Sequence, residues 1–178
     1  MAKILVGVGG GIAAFKTAAL VSRLVQQNHD VHVVLTHGGS QFVGAATFAA
    51  LCNHQPVLDA FDPRFPLGPH IELADGADAL VIAPATARIL ASCALGLADD
   101  LLATLYLACN CPKVMAPAMN AVMWRHPAVQ HNIGLLERSG VIIVGPGEGW
   151  LSCRVQGVGR MADPEALLDQ IHEIVHSG

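Results

Sequence analysis

The sequence predicts an α/β fold: a mostly parallel, doubly wound sheet with helices on both faces, in one domain over residues 1–178. Three observations predict it. Short apolar runs alternate with amphipathic stretches along the whole chain. The runs are apolar throughout rather than alternating, as strands buried on both faces must be. Each run ends in Gly, Pro, Thr or Ser, the residues that turn a strand into a helix.

Taken in order, "KILVGVG" reads as the first strand and "GIAAFKTAALVSRLVQQ" as an amphipathic helix. "DVHVVLT" is a second strand, followed by a helix over about residues 40–51. "ADALVIAPA" is a third strand that Pro84 stops, with helices over about 86–93 and 99–110. Thr86 suits the N-cap of the first of these, and Asp99 or Asp100 that of the second. "KVMAPA" is a fourth strand, "HPAVQHNIGLLERSG" a helix ending at Gly140, and "VIIVGP" a fifth strand. "DPEALLDQIHEIVHS" closes the chain as a helix, with Asp163 as N-cap and Pro164 at its first position. Between them, residues 146–161 hold many glycines and no clear period, which predicts a flexible flap at the ligand edge.

Composition narrows the function. Hydrophobic residues make up 53% of the chain and charged residues 13%, and the mean hydropathy is +0.49. That is apolar enough to predict that subunit interfaces cover part of the surface, so a homo-oligomer is expected. Apolar uncharged runs such as Ile89 to Ala98 and Leu101 to Pro112 fall short of the roughly 18 residues of a membrane span, and the first residues lack the pattern of a signal peptide. A net charge of −4 without a basic cluster argues against nucleic acid as a partner. Five scattered cysteines predict reduced thiols and a cytoplasmic setting. Cys109 and Cys111 are too close for a zinc knuckle and have no partner pair, so buried thiols are expected rather than a metal site.

In a doubly wound sheet, ligands bind beyond the carboxyl ends of the strands. The turn after the first strand, "GVGGGIAAFK", lets backbone N–H groups approach an anion at a helix N-terminus. Gly9, Gly11 and Ala14 fit G-x-G-x-x-A, but the acidic residue expected about 20 positions on for a dinucleotide is replaced by Thr36, His37 and Ser40. Hydroxyls suit a phosphate, which favours a mononucleotide. A tight turn serving only helix–sheet packing is the competing reading. "PAMNAVMW", residues 117–124, puts an amide among apolar side chains, as a site gripping a polar group in a dry setting needs.

Together "GGIAAFK", "PATA", "PHIELA", "PAMNAVMW" and "GVGRM" resemble the flavin-dependent cysteine decarboxylases, over about residues 3–161. This family includes phosphopantothenoylcysteine decarboxylases and the peptidyl-cysteine decarboxylases of lantibiotic synthesis. The resemblance implies a flavodoxin-like, Rossmann-type fold and an FMN cofactor. It implies that Gly10, Gly11, Ile12, Ala13, Thr36 and Ser40 hold FMN, chiefly its phosphate, and that Thr86, Ala87 and Ala118 line the flavin. His70 matches the catalytic base, a group that titrates near neutral pH. Asn120 would bind the substrate carboxylate through its amide donor, with Met119, Met123 and Trp124 limiting its hydration; core packing is the competing role for Met123. Arg160 and Met161 lie in the late motif and would contact substrate. Arg154, Arg160 and Lys16 are the cations that could meet a substrate phosphate, and Arg88 stands where some relatives carry Asn.

Cys153 matches the flap cysteine of the members that act on phosphopantothenoylcysteine, although Arg154 replaces the glycine that follows it there. The implied reaction oxidises the substrate's Cβ–S unit to a thioaldehyde, releases CO2 and forms an enethiol. A neutral thiol at Cys153 could then supply the proton of a second, reductive half. The expected function is therefore decarboxylation of 4′-phospho-N-pantothenoylcysteine to 4′-phosphopantetheine in coenzyme A biosynthesis. The alternatives are oxidative decarboxylation of a peptide's C-terminal cysteine and a non-catalytic FMN-binding regulatory module. The resemblance also implies FMN at subunit contacts in a trimer or dodecamer, and a following ligase domain in many bacterial members that this chain's length leaves no room for. His29, His32, His54, His126, His131, His172 and His176 take no role from it.

Overall fold

The computed structural model describes residues 1–176. In chain order the elements are β1 (Lys3–Val8), α1 (Ala14–Gln26), β2 (Asp30–Leu35), α2 (His37–Ser40), α3 (Ala45–Cys52) and α4 (Pro69–Ala74). They continue with β3 (Ala79–Ala85), α5 (Ala87–Leu95), α6 (Leu101–Ala108), β4 (Lys113–Pro117), α7 (Ala121–Trp124) and α8 (Pro127–Arg138). The last are β5 (Ile142–Ile143), β6 (Gly147–Trp150), β7 (Gln156–Arg160) and α9 (Pro164–His176).

Five strands form one parallel sheet in the order β2-β1-β3-β4-β5. This is the flavodoxin-like, Rossmann-type order. From β1 the chain crosses first to β2 and then back over β1 to β3, so the sheet's switch point lies between β1 and β3. Successive residues of a strand point to opposite faces. Ile4, Val6 and Val8 of β1 therefore join a core under α1, α3 and α9, where Phe48, Leu20 and Leu167 are fully buried. Leu5 points the other way, into a core under α4, α5, α6 and α8 with Leu80, Ile82, Leu90 and Leu105. Every apolar strand position thus has a helix above it, which is why the strands read as continuous apolar runs.

Four local expectations change. The helix expected over 40–51 is two helices, because Thr36 caps α2 and Gly44, with extended backbone, starts α3 afresh. Pro84 does not stop β3: the strand runs to Ala85 through a register shift between Ile82 and Ala85. The freed Ala83 carbonyl accepts from the buried Thr17 hydroxyl of α1 at 2.6 Å. The fifth strand pairs only over Ile142–Ile143, and Gly145, at φ 82°, turns the chain away. Residues 146–161 are not a plain loop, since β6 and β7 pair as an antiparallel hairpin. Asp163 precedes α9 as expected, but its carboxylate engages Lys16 at 2.7 Å and Arg160 at 2.9 Å. No described helix is long and apolar enough to cross a membrane.

Phe48 is the largest fully buried side chain and joins α3 to α1 and β2. Phe48→Ala should lower the free energy of unfolding by about 3–5 kcal/mol, measured by urea titration.

Candidate functional site

A cleft of about 820 Å³ opens at the carboxyl ends of β1, β3 and β4, beside the switch point. Four stretches wall it: the glycine turn before α1, the start of α5, the β4–α7 turn, and the β6–β7 hairpin. Close backbone packing makes this convergence possible. A Cβ on Gly9 would sit 2.2 Å from the Pro84 carbonyl oxygen, and one on Gly10 would sit 2.8 Å from Gly38. Only glycines let the turn settle between the ends of β3 and the β2–α2 connection.

The glycine turn is anchored to itself by Gly11 N to Gly9 O at 3.1 Å and Ala14 N to Gly11 O at 2.9 Å. Ala13 caps α1 without a side-chain hydrogen bond. Phe15 N and Lys16 N likewise turn back to Ile12 O and Ala13 O, at 3.4 and 2.9 Å, so it is the dipole at this end of the helix that favours an anion. Gly10, Gly11, Ile12 and Ala13 all line the cleft. Thr36 and Ser40 do not. Thr36 is buried, donates to Val8 O at 2.9 Å and accepts from Gly39 N at 3.0 Å. Ser40 donates to His37 O at 2.8 Å. Their hydroxyls hold the 36–40 turn against Gly10.

On the next wall, Thr86 caps α5 through Ile89 N, and Thr86 and Ala87 face the cleft. Arg88 points away to Asp99 and Asp100, at 2.9 and 2.6 Å, and Asp100 caps α6. Ala118 is tied to the end of β3 by its N–H to Ala85 O at 3.1 Å. Asn120 caps α7: its Oδ1 accepts from Met123 N at 2.9 Å. That bond assigns the amide. The oxygen faces the helix, and the NH2 group remains as a donor at the exposed rim of the cleft. Met119 and Met123 flank it in the cleft wall, so Met123 is not core. Trp124 packs against the core instead and does not line the cleft.

The hairpin covers the cleft from the far side. Met119 N donates to Gly159 O at 3.0 Å. A Cβ on Gly159, whose φ is 150°, would lie 2.1 Å from Met119 O, and one on Gly157 would lie 3.1 Å from the Ala121 side chain. The glycines of "GVGRM" therefore let β7 lie directly on the "PAMN" turn. Arg160 and Met161 line the cleft, and Lys16 joins them. Lys16 donates to Met161 O at 3.1 Å as well as to Asp163. Lys16, and then Arg160, hold the Asp163 carboxyl below its usual range.

Cys153 sits exposed at the hairpin tip, outside the cleft lining that includes Leu151 and Ser152. Arg154 next to it has φ 61°, the left-handed conformation that a glycine adopts without a Cβ penalty. Arg154 adopts it here with its N–H bonded to Leu151 O at 2.9 Å. His70 lies in the first turn of α4, half-buried, after Gly68 at φ 98° and Pro69. It is not among the residues lining this chain's cleft.

Sequence reasoning missed Phe15, Phe42 and Trp150 as cleft residues. Phe15 carried a signal. It falls off the buried stripe of α1, Ala14, Thr17, Leu20, Val21 and Leu24, and a large aromatic on the polar side of a helix is waiting for something to cover it.

A family profile described as Flavoprotein matches residues 1–176. The chain is 43% identical over 166 residues to "Coenzyme A biosynthesis bifunctional protein CoaBC" of Bacillus subtilis (strain 168), covering 93% of this chain and 41% of that one. The protein of the same name from Vibrio cholerae serotype O1 is 44% identical over 169 residues, covering 93% and 42%. The chain thus spans about two fifths of the length of these relatives. Among solved structures, the FMN-dependent cysteine decarboxylase SpaF superposes with a TM-score of 0.85 at 33% identity, over 98% of this chain and 97% of that one. A PPC decarboxylase mutant complexed with pantothenoylaminoethenethiol superposes with a TM-score of 0.87 at 28% identity, over 98% of each chain.

Away from the cleft, at the amino end of β4, Cys109 is buried and Cys111 half-buried. The hydrogen bond from the Cys109 thiol, with Lys113 close by, lowers Cys111 to about 7. The same bond, together with burial, pushes Cys109 well up. Alkylation of Cys111 by iodoacetamide should rise through its midpoint near pH 7, while Cys109 stays unmodified; peptide mass spectrometry across a pH series checks this.

Proposed function

The chain belongs to the flavoprotein family, and from that premise we propose that it is an FMN-dependent carboxy-lyase acting on 4′-phospho-N-pantothenoylcysteine, yielding 4′-phosphopantetheine in coenzyme A biosynthesis. The observation that carries the reading is the Asn120 amide, its oxygen committed to Met123 N and its NH2 group free at the rim of an apolar cleft. The names of the CoaBC relatives and of the PPC decarboxylase structure support the choice of substrate.

The residues fit FMN. A cleft of about 820 Å³ is within the usual range for cofactor sites. The glycine turn packs its main chain against Pro84 and Gly38 and so presents bare backbone to the cleft, and α1 directs its N-terminus there. Gly10, Gly11, Ile12 and Ala13 hold the phosphate end in this proposal, with Thr36 and Ser40 bracing the turn behind them. Thr86, Ala87 and Ala118 lie along the ring system. When bound, FMN supplies a two-electron acceptor for the substrate's Cβ–S unit and returns the electrons later.

The chain's own residues do the rest. Asn120 donates to the substrate carboxylate, while Met119 and Met123 keep water from it, so that loss of neutral CO2 is not opposed by solvation of the anion. Arg160 and Lys16, both in the cleft lining, supply the cations for a substrate phosphate in this reading, with Met161 in the wall beside them. Cys153 gives a proton to the enethiol carbon when the hairpin folds its tip inward. His70, which does not line its own chain's cleft, serves as the base in the cleft of a second copy. The exposed apolar residues at the rim, Ile12, Phe15 and Phe42, at 55%, 60% and 50% exposure, offer that copy a surface. The assembly proposed is a homo-oligomer, a trimer or dodecamer, in the cytoplasm.

Purified protein should be yellow, with oxidised-flavin absorbance, and should release CO2 from 4′-phospho-N-pantothenoylcysteine. A colourless chain that fails to take up FMN, or no CO2 release, overturns the proposal. Asn120→Asp keeps the cap on α7 but sets a carboxylate against the substrate's own, so kcat should fall about 10²–10³-fold with FMN binding retained. Cys153→Ser should still release CO2 but accumulate the enethiol, resolved by mass spectrometry; saturated product at the wild-type rate removes Cys153 from the reaction.

A further inference from the structure

Three ligand-type side chains meet at the opposite end of the sheet from the cleft. Asp30 and His32 are alternate residues of β2 and share one face of this edge strand. His54 follows Asn53, whose left-handed φ of 57° ends α3. The chain then runs alongside β2: Val57 N donates to Val33 O at 2.9 Å, and Leu35 N to Val57 O at 2.9 Å. Three residues upstream of Val57, His54 thereby comes level with the start of β2. Its backbone is clamped on both sides, by Cys52 Sγ to His54 O at 3.4 Å and by Arg64 to Gln55 O and Pro56 O at 3.2 and 3.1 Å.

Asp30 stands between the two imidazoles. His32 Nε2 is 3.0 Å from one carboxylate oxygen, and His54 Nε2 is 2.9 Å from the other. The rings stack with centroids 4.2 Å apart, and one donor atom from each residue lies within 4.8 Å of the other two. A tetrahedral zinc ion, with bonds near 2.0–2.1 Å, needs donors about 3.3 Å apart. The two Asp–His spacings, 3.0 and 2.9 Å to separate oxygens of one carboxylate, are close to that, and metal uptake turns the His54 ring, the more exposed of the two, to bring the nitrogens together. Lys3, the register partner of Asp30 on β1, sends its ammonium to the carbonyls of Glu72 and Asp75. Among the described residues, the ion pairs of Asp30 are to His32 and His54.

We propose that Asp30, His32 and His54 form a site for a divalent transition-metal cation of the zinc type, which fastens the segment after α3 to the edge of the sheet. Two imidazoles and one carboxylate are donors for zinc, nickel or cobalt rather than for magnesium or calcium, which take oxygen. The side chains are partly exposed, at 40%, 22% and 43% for Asp30, His32 and His54, so the ion has a path in and water can complete its coordination. The site is independent of the cleft and of its chemistry.

The test uses the FMN-loaded protein, stripped of metal by a chelator and titrated with zinc chloride against a chromophoric competitor. Wild type should take up one saturable equivalent per chain, and zinc should raise its thermal midpoint. His54→Ala and Asp30→Asn change exposed side chains, and each should bind at least about tenfold more weakly and lose the thermal response. The absence of saturable uptake overturns the proposal. So does equal uptake by wild type and both variants, which would assign the zinc to other donors such as Cys109 and Cys111.

Discussion

The structure depends on backbone meeting backbone at the carboxyl ends of three parallel strands. Gly9 lies against the Pro84 carbonyl, Gly10 against Gly38, and Gly159 against the Met119 carbonyl. At each point a single methyl group would force main chain away from main chain, which packed interiors do not absorb cheaply. These contacts bring the turn after β1, the end of β3, the "PAMN" turn and the hairpin strand β7 to one place, and the cleft is the space left among them. The side chains suggested for chemistry are few. The scaffold that aims them is made of atoms with no side chain at all.

Much of this is legible in the sequence, and the legible part follows a rule. Strands β1 to β4 can be read because helices cover both of their faces, so their apolar runs are unbroken. The ligand edge is legible because glycine, threonine and asparagine there announce turns and caps before they announce function. Asn120 and Thr86 both cap helices. The hairpin is not legible. Strands β6 and β7 are mostly exposed, carry several glycines and pair only with each other, so they have no apolar alternation to betray them. Helix α4, six residues long, escapes for want of length, although Gly68 and Pro69 mark its start.

Individual site residues divide in the same way. Gly10, Gly11, Ile12, Ala13, Thr86, Ala87, Ala118, Met119, Asn120, Arg160 and Met161 share one cleft. All but Arg160 and Met161, which the hairpin strand β7 brings in, follow a strand of the parallel sheet, so topology carries them there. Thr36 and Ser40 also follow a strand, but they cap and end the short helix α2, and their hydroxyls are taken by backbone, Thr36 by Val8 O and Gly39 N and Ser40 by His37 O. His70 and Cys153 lie on α4 and on the hairpin tip, two elements whose positions strand order does not fix. Phe15, Phe42 and Trp150 surround the cleft as exposed aromatics. A single chain gives no reason for them, since their burial depends on what fills or covers the cleft.

The pairing of Val57 with Val34 has a consequence for how this chain behaves when concentrated. An edge strand with bare N–H and C=O groups invites strand-by-strand growth into fibres. Here one margin of the sheet is shielded by the short stretch that ends at Val57 and contains Pro56, while the other margin stops after Ile142–Ile143. Neither border offers a long template for extension. Crowded copies therefore find little here on which to stack strand upon strand.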